Sequence, residues 1–189
     1  MKVIFFFIIL ILLLCFNYKI SNFEKFTNNK LFTTVYHDCK ILANKEMTNR
    51  LKKNVYEKQE IGLIEVIPKE ILRESKVLDL GACLGVVSII VNKKLNNKED
   101  HVCVEANKDL ISVLQKNRDN NDCKFKIENS IISNTSDGVF YIYDNVVAGS
   151  AHRRDNYNNN KKKIKINVLK LPELIKKHNV TFDFIIMDI

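Results

Sequence analysis

The chain has 189 residues, 30 Lys and Arg against 22 Asp and Glu, and a net charge of +8 at pH 7. That length has room for one domain, and a hydrophobic fraction of 46% with 5 glycines and 2 prolines excludes a disordered chain. Lysine greatly outnumbers arginine and the basic charge is spread out, apart from Lys161, Lys162 and Lys163, so it reads as a solvated surface and no nucleic-acid partner is expected.

At the N-terminus, Met1-Lys2 precedes an apolar run over residues 3–16 in which Cys15 is the only polar side chain. The run is short for a full span, which needs about 20 apolar residues, but no small-x-small cleavage site follows it. Tyr18 and Lys19 suit an interfacial anchor, and Ile20 extends a tilted span. Residues 1–20 therefore read as an uncleaved signal-anchor or transmembrane segment in preference to a cleaved secretory signal. Lys19, Lys25 and Lys30 outnumber Lys2, which favours a domain facing the cytosol. The sequons at Asn134-Thr135-Ser136 and Asn179-Val180-Thr181 would matter in the secretory pathway, but a chain so rich in Asn acquires such triplets by chance.

Residues 21–54 read as a polar stalk carrying a helix over 40–53, and the domain proper runs from 55 to 189. An amphipathic helix over 60–72 is interrupted by Pro68. A strand over 76–80, a helix over 84–95, a strand over 101–105, a helix over 109–117 and a strand over 123–128 follow in turn. Extended runs at 138–143 and 163–168 flank a polar loop, and a helix over 171–178 leads to a buried strand over 182–188. Strands alternating with helices predict an α/β fold, a Rossmann-like, doubly wound, mostly parallel sheet behind an N-terminal hydrophobic helix. The cysteines, Cys15, Cys39, Cys83, Cys103 and Cys123, show no CxxC or His/Cys ligand spacing, so neither a metal site nor a disulfide framework is expected, and a reducing compartment is.

The chemistry lies between the first two strands of the domain. The pattern is Asp79-x-Gly81-Ala82-x-x-Gly85, with Glu105 twenty residues beyond Gly85 at the end of the next strand. Gly81 marks a sharp turn where a residue without Cβ lets a ligand approach the backbone. Glu105 is placed to accept hydrogen bonds from the hydroxyls of a bound ribose. Dinucleotide folds use G-x-G-x-x-G to seat a pyrophosphate on a helix N-terminus. Here Ala82 breaks that spacing, and Asp79 would repel a pyrophosphate but meet an amino group. S-adenosylmethionine offers an α-ammonium and a ribose with no phosphate. A nicotinamide-dependent oxidoreductase using NAD is the disfavoured alternative.

At these residues the sequence resembles the class I S-adenosylmethionine-dependent methyltransferases. Val77-Leu78-Asp79-Leu80-Gly81-Ala82-Cys83-Leu84-Gly85, Val104-Glu105-Ala106-Asn107, Gly138-Val139-Phe140-Tyr141, Ala148-Gly149-Ser150 and Phe182-Asp183-Phe184-Ile185-Ile186-Met187-Asp188-Ile189 follow in an order that resembles the FkbM-type methyltransferase family over residues 56–189. Cys83 stands where that family usually carries Asn, and the family's last strand usually runs on into Glu-Gly, whereas this sequence stops at Ile189. Its sheet also usually has more strands than the four visible here, so an incomplete C-terminal half is expected, with a covering partner as the other explanation of a long apolar edge.

The resemblance implies a methyl transfer to a hydroxyl of a small molecule or glycan. It places Asp79, Gly81, Ala82, Gly85, Glu105 and Ala106 at the cofactor. Asn129 and Ser130 then lie near the adenine, although a turn-forming role suits them equally. Asp188 faces the cleft above the carboxyl ends of the strands, where it would orient or deprotonate the acceptor or bind a metal. Asp79 would equally cap the amides that follow it. His152, Arg153 and Arg154 form a basic loop that is either solvated or a cover for an acidic or sugar-like acceptor. His37, His101 and His178 have no partner at catalytic spacing. A non-catalytic, membrane-tethered remnant of the fold is the remaining alternative.

Overall fold

A computed structural model describes residues 30–54, 56–135, 138–142, 149–150 and 162–188. The predicted membrane segment, the first part of the stalk, Ala148, the His152-Arg153-Arg154 loop and Ile189 lie outside the described residues. Among the described residues no helix is long and apolar enough to cross a membrane.

Within the stretch read from the sequence as a polar stalk, the described residues from 32 onward pack into the domain. Strands β1 (Phe32–Tyr36) and β2 (Cys39–Ala43) form an antiparallel hairpin with Tyr36 opposite Cys39. The intervening His37 and Asp38 both take positive φ, 45 and 57, as a two-residue hairpin turn with the strands' own twist requires. Thr34, Tyr36, Cys39, Ile41 and Ala43 alternate inward and are buried, while His37, Asp38 and Lys40 lie between them. The helix expected from residue 40 begins instead at Lys45, because Asn44 ends the strand and caps α1 (Lys45–Lys52), its side chain accepting from the Met47 amide at 2.9 Å.

Pro68 separates α2 (Lys58–Val66) from α3 (Lys69–Arg73), as expected from its missing N–H. The core then alternates strand and helix: β3 (Val77–Leu80), α4 (Val86–Asn92), β4 (His101–Val104), α5 (Lys108–Asp119) and β5 (Lys126–Glu128). The chain continues through β6 (Ile131–Ile132), β7 (Val139–Ile142), β8 (Gly149–Ser150), β9 (Lys162–Lys165) and β10 (Val168–Leu169) to α6 (Leu171–His178) and β11 (Phe184–Met187). The run expected over 163–168 is two strands, because β9 pairs antiparallel with β7 while β10 pairs parallel with β6.

The central sheet has four parallel strands in the order β11-β3-β4-β5. Successive residues of β3 face opposite sides. Val77 joins the core beneath α1, α2, α4 and α5, and Leu78 and Leu80 join a second core with Leu174 of α6. The order reverses at β3, with β4 on one side and β11 on the other. In open α/β sheets the crevice at that reversal, beyond the carboxyl ends of the strands, is where ligands bind. β11 lies at the edge of this sheet among the described residues and is half-buried rather than buried, with Met187 49% exposed.

Asn117 of α5 and Asn121 in the turn just after it hold the hairpin to this frame. Asn117 Oδ1 accepts from Leu42 N at 2.7 Å and Asn121 Oδ1 from Lys40 N at 2.8 Å, while their amides donate back to Leu42 O and Lys40 O. One helical turn apart, they serve β2 as a neighbouring strand would. Asn117 also donates to Leu84 O at 2.9 Å, which ties the turn after β3 to the same helix.

Candidate functional site

The turn after β3 stands over the carboxyl ends of the strands. Gly81, Cys83 and Gly85 take left-handed φ values of 92, 50 and 80. The amides of Gly81 and Ala82 both donate to Val104 O, at 2.9 and 3.1 Å, and Gly85 N donates to Ala82 O at 2.7 Å. A left-handed backbone costs a residue with a Cβ about 1–2 kcal/mol; glycine avoids that at 81 and 85, and Cys83 carries it. Gly85 is the N-cap of α4, so the helix opens at Val86, two residues later than its apolar pattern begins.

Glu105 fastens this turn to the next one. Its buried carboxylate accepts from Cys83 N at 2.7 Å and from Asn107 N at 2.6 Å. Burial raises its pKa, and the amides of Asn107, Cys83 and Ala106 oppose that rise. The backbone therefore supplies donors to this carboxylate in addition to those a ribose would bring. An ionised carboxylate has about four acceptor positions, which leaves capacity for a ligand. Asn129 is exposed, and its side-chain amide donates to Glu105 O at 2.8 Å and Ala106 O at 3.1 Å, bracing the segment that carries Glu105. Ser130 is 1% exposed and its hydroxyl has no hydrogen-bond partner among the described residues. A buried orphan of that kind costs about 1–3 kcal/mol, which a polar ligand atom would recover.

Carboxylates gather on the β3 side of the crevice. Asp79 is 3% exposed, and the Ser88 hydroxyl of α4 donates to its Oδ2. Burial pushes its pKa up to about 7, opposed by the Ser88 hydrogen bond and helped by the charges of Asp188 and Glu105. Asp188, exposed just beyond β11, is held beside β3 by its amide, which donates to Leu80 O at 3.1 Å. Glu57 joins them from the residues leading into α2, with a left-handed φ of 47. Burial pushes Glu57 up to about 8, a hydrogen bond with Tyr56 opposes this, and Asp79, Asp188 and Glu60 add to it. Sequence reasoning missed Glu57, for which no spacing or motif gave a signal. S-adenosylmethionine fits this donor set: it brings two positive charges, an ammonium and a sulfonium, to carboxylates that hold one another's pKa up, and hydroxyls to Glu105.

These shifts fix the sign of a pH effect on stability. A carboxyl whose pKa is higher folded than unfolded binds its proton more tightly when folded. Its stabilising contribution is complete below the ordinary carboxylate range and is lost as the pH rises through the folded value. Between about pH 5 and pH 8 the melting temperature of the free protein is expected to fall, through Asp79 and Glu57, and the slope to flatten in Asp79→Asn and Glu57→Gln. Thermal melts across that range check it, and a flat or rising profile would contradict the assignment.

Asp79, His101 and Cys103 bring donor atoms within 4.8 Å of one another. Hydrogen bonds account for this grouping, with Ser88 on Asp79 and His101 Nε2 at 3.5 Å from Cys103 Sγ. The histidines without a partner at catalytic spacing in the sequence meet carboxylates across the fold: His178 Nε2 lies 2.8 Å from Glu128 Oε1, and His37 Nδ1 lies 3.7 Å from Glu65 Oε1. These partners lie on other elements, where residue spacing does not reveal them. Cys39, Cys83, Cys103 and Cys123 are all free thiols. Of the residues read from the sequence, Asp79, Gly81, Ala82, Gly85, Glu105, Ala106, Asn129 and Asp188 are joined by hydrogen bonds and charge around the ends of β3, β4, β5 and β11, while Ser130 follows β5 with its hydroxyl unengaged.

Residues 52–150, slightly more than half the chain, match the family model of the methyltransferase small domain. No curated protein sequence matches the chain. Among solved structures, the Pyrococcus abyssi tRNA (uracil-54, C5)-methyltransferase in complex with S-adenosyl-L-homocysteine is similar at 20% identity with a TM-score of 0.39, over 55% of this chain and 24% of that one. The similar region therefore spans less than a quarter of that enzyme's length.

Proposed function

The chain belongs to the methyltransferase small-domain family, and from that premise we propose that it transfers a methyl group to a hydroxyl of a small molecule or glycan. S-adenosylmethionine is the cofactor of this domain, and when bound it supplies a methyl group already activated by its sulfonium. The observation that carries the reading is the convergence of Asp79, Glu57, Asp188 and Glu105 at the topological reversal of the sheet. That charge favours a cationic cofactor and repels a pyrophosphate, which also speaks against the NAD-dependent alternative.

The residues divide the work by position. Glu105 accepts the ribose hydroxyls, and its bonds to Cys83 N and Asn107 N hold the carboxylate still while it does so. Asp79 meets the α-ammonium beside the bare backbone of Gly81, with Ala82 and Gly85 completing the turn. Ser130 offers its hydroxyl to the adenine, and Asn129 keeps the Glu105-Ala106 segment in register with it. Asp188 orients the acceptor hydroxyl and takes its proton. Positioning of this kind is worth several kcal/mol of barrier, roughly 7–11 in the best-oriented intramolecular reactions. The motif order along the chain supports an FkbM-type enzyme, and the apolar run over residues 3–16 supports a membrane anchor with the domain facing the cytosol.

Methyl transfer to a panel of hydroxyl-bearing acceptors tests the reading. Asp188→Ala is expected to lower kcat by roughly 10²–10⁴-fold, the usual contribution of a general base, with unchanged affinity for S-adenosylhomocysteine. Unaltered turnover would remove Asp188 from the chemistry. Transfer to nitrogen or carbon acceptors alone would overturn the hydroxyl assignment.

A further inference from the structure

A line of buried polar groups runs under α4 and ends on Asp79. Asn92, Ser88, His101 and Cys103 are all buried, Ser88 and Asn92 one turn apart on α4 and His101 and Cys103 on one face of β4. Cys103 lies opposite Asp79 in the strand register. These residues fall among apolar neighbours, where an unpartnered polar group is costly. Each has a partner.

The direction of every bond follows from counting protons. Asn92 Oδ1 accepts from Lys124 N at 3.0 Å and its Nδ2 donates to Lys98 O at 2.8 Å, which fixes the orientation of the amide. The second Nδ2 proton then faces His101 Nδ1 at 3.3 Å, so Nδ1 is the acceptor and the imidazole proton sits on Nε2. Nε2 points at Cys103 Sγ, 3.5 Å away. The Ser88 hydroxyl proton is committed to Asp79, and Cys103 Sγ lies within 4.8 Å of an Asp79 carboxylate oxygen on the paired strand; with the Ser88 proton spent, the Cys103 S–H is the proton left to face the Ser88 oxygen. Burial lowers the His101 pKa to about 3 and raises that of the Cys103 thiol, so both stay neutral over the working range and the line keeps its polarity.

We propose that His101, Cys103 and Ser88 form a one-way hydrogen-bond relay, anchored by Asn92, that donates towards the Asp79 carboxylate, favours its ionised form against the burial and charges that oppose it, and aims it at the ammonium end of the cofactor. They are positioning residues, and the ligand in this statement rests on the methyltransferase reading, whereas the relay is a property of the free protein. The other groups facing Asp79 are Glu57 ahead of α2, Glu105 after β4 and Asp188 after β11, all carboxylates that oppose its ionisation. The relay supplies donors from the remaining side.

The test follows the Asp79 carboxyl carbon and the His101 ring nitrogens by NMR from about pH 4 to pH 9, in the full-length chain, with and without S-adenosylhomocysteine. Ser88→Ala is expected to raise the Asp79 midpoint by about one pH unit or more, the size of a lost hydrogen bond to a charged group. Cys103→Ala should raise it by less, and Cys103→Ser, which keeps a donor and an acceptor, should leave it in place. His101 should carry its proton on Nε2 and not titrate above pH 5. S-adenosylhomocysteine should lower the wild-type midpoint. Equal midpoints for Cys103→Ala and Cys103→Ser, or a proton on His101 Nδ1, would overturn the relay, and both readouts survive should Ser88→Ala fail to fold. Shifted midpoints in the variants with no response to S-adenosylhomocysteine would leave the relay standing and overturn its role at the cofactor.

Discussion

Replacing Glu105 by alanine is expected to weaken S-adenosylhomocysteine binding by at least tenfold and roughly 100-fold, and to lower the stability of the free protein by about 2–4 kcal/mol. The two effects have separate causes. Hydrogen bonds to a charged group contribute about 1.5–3 kcal/mol each, and every 1.4 kcal/mol is about tenfold in affinity, so loss of even one ribose contact exceeds tenfold. The stability loss comes from Cys83 N and Asn107 N, which now donate to this carboxylate at 2.7 and 2.6 Å and would be left without it. Glu105→Gln separates the two: it keeps one acceptor but turns an NH2 group against a backbone donor, so part of the stability returns while binding stays impaired. Calorimetric titration beside urea unfolding reads both quantities. An affinity that survives Glu105→Ala in a folded protein would remove this residue from the site.

Gly85→Ala is expected to destabilise the fold by about 2–4 kcal/mol. Its φ of 80 lies in the left-handed region, which costs a residue with a Cβ about 1–2 kcal/mol. The added Cβ would also overlap Leu114 Cδ1, and Leu114 is fully buried in the main core. Shifting a packed side chain of that kind costs about 1–3 kcal/mol. Because Gly85 caps α4 and its amide bonds Ala82 O, relief by backbone movement would disturb the cofactor turn itself. Combined with Leu114→Ala, the steric part should disappear and the two changes should fall short of additivity. Strict additivity in urea unfolding would place the whole cost in the backbone.

The legible part of this fold is the part decided by near neighbours. β3, α4 and β4 announce themselves through short apolar runs, a glycine turn and helical spacing, and Asp79, Gly81, Gly85 and Glu105 sit where those patterns put them. The hairpin at 32–43 was hidden because polar Thr34 faces inward while apolar Val35 faces out, which blurs the alternation of a strand, and because its edge is satisfied by Asn117 and Asn121, some 75–81 residues away. The break between β9 and β10 is likewise set by their partners, β7 and β6. Cys83 shows the limit within a motif: its position in the turn is readable, but not that it takes a left-handed φ of 50 and gives its amide to Glu105. Glu57, His101 and Ser88 acquire meaning only from what the sheet brings beside them. Long-range contact, rather than any local pattern, makes them part of the site.

Every role proposed for these residues requires the crevice over β3 and β4 to take a cationic nucleoside cofactor. Calorimetric titration of the full chain with S-adenosylhomocysteine, in competition with NADH, tests it most directly. Micromolar binding of S-adenosylhomocysteine that NADH does not displace is expected; preference for NADH, or no binding by a protein whose circular dichroism shows it folded, would overturn the cofactor assignment.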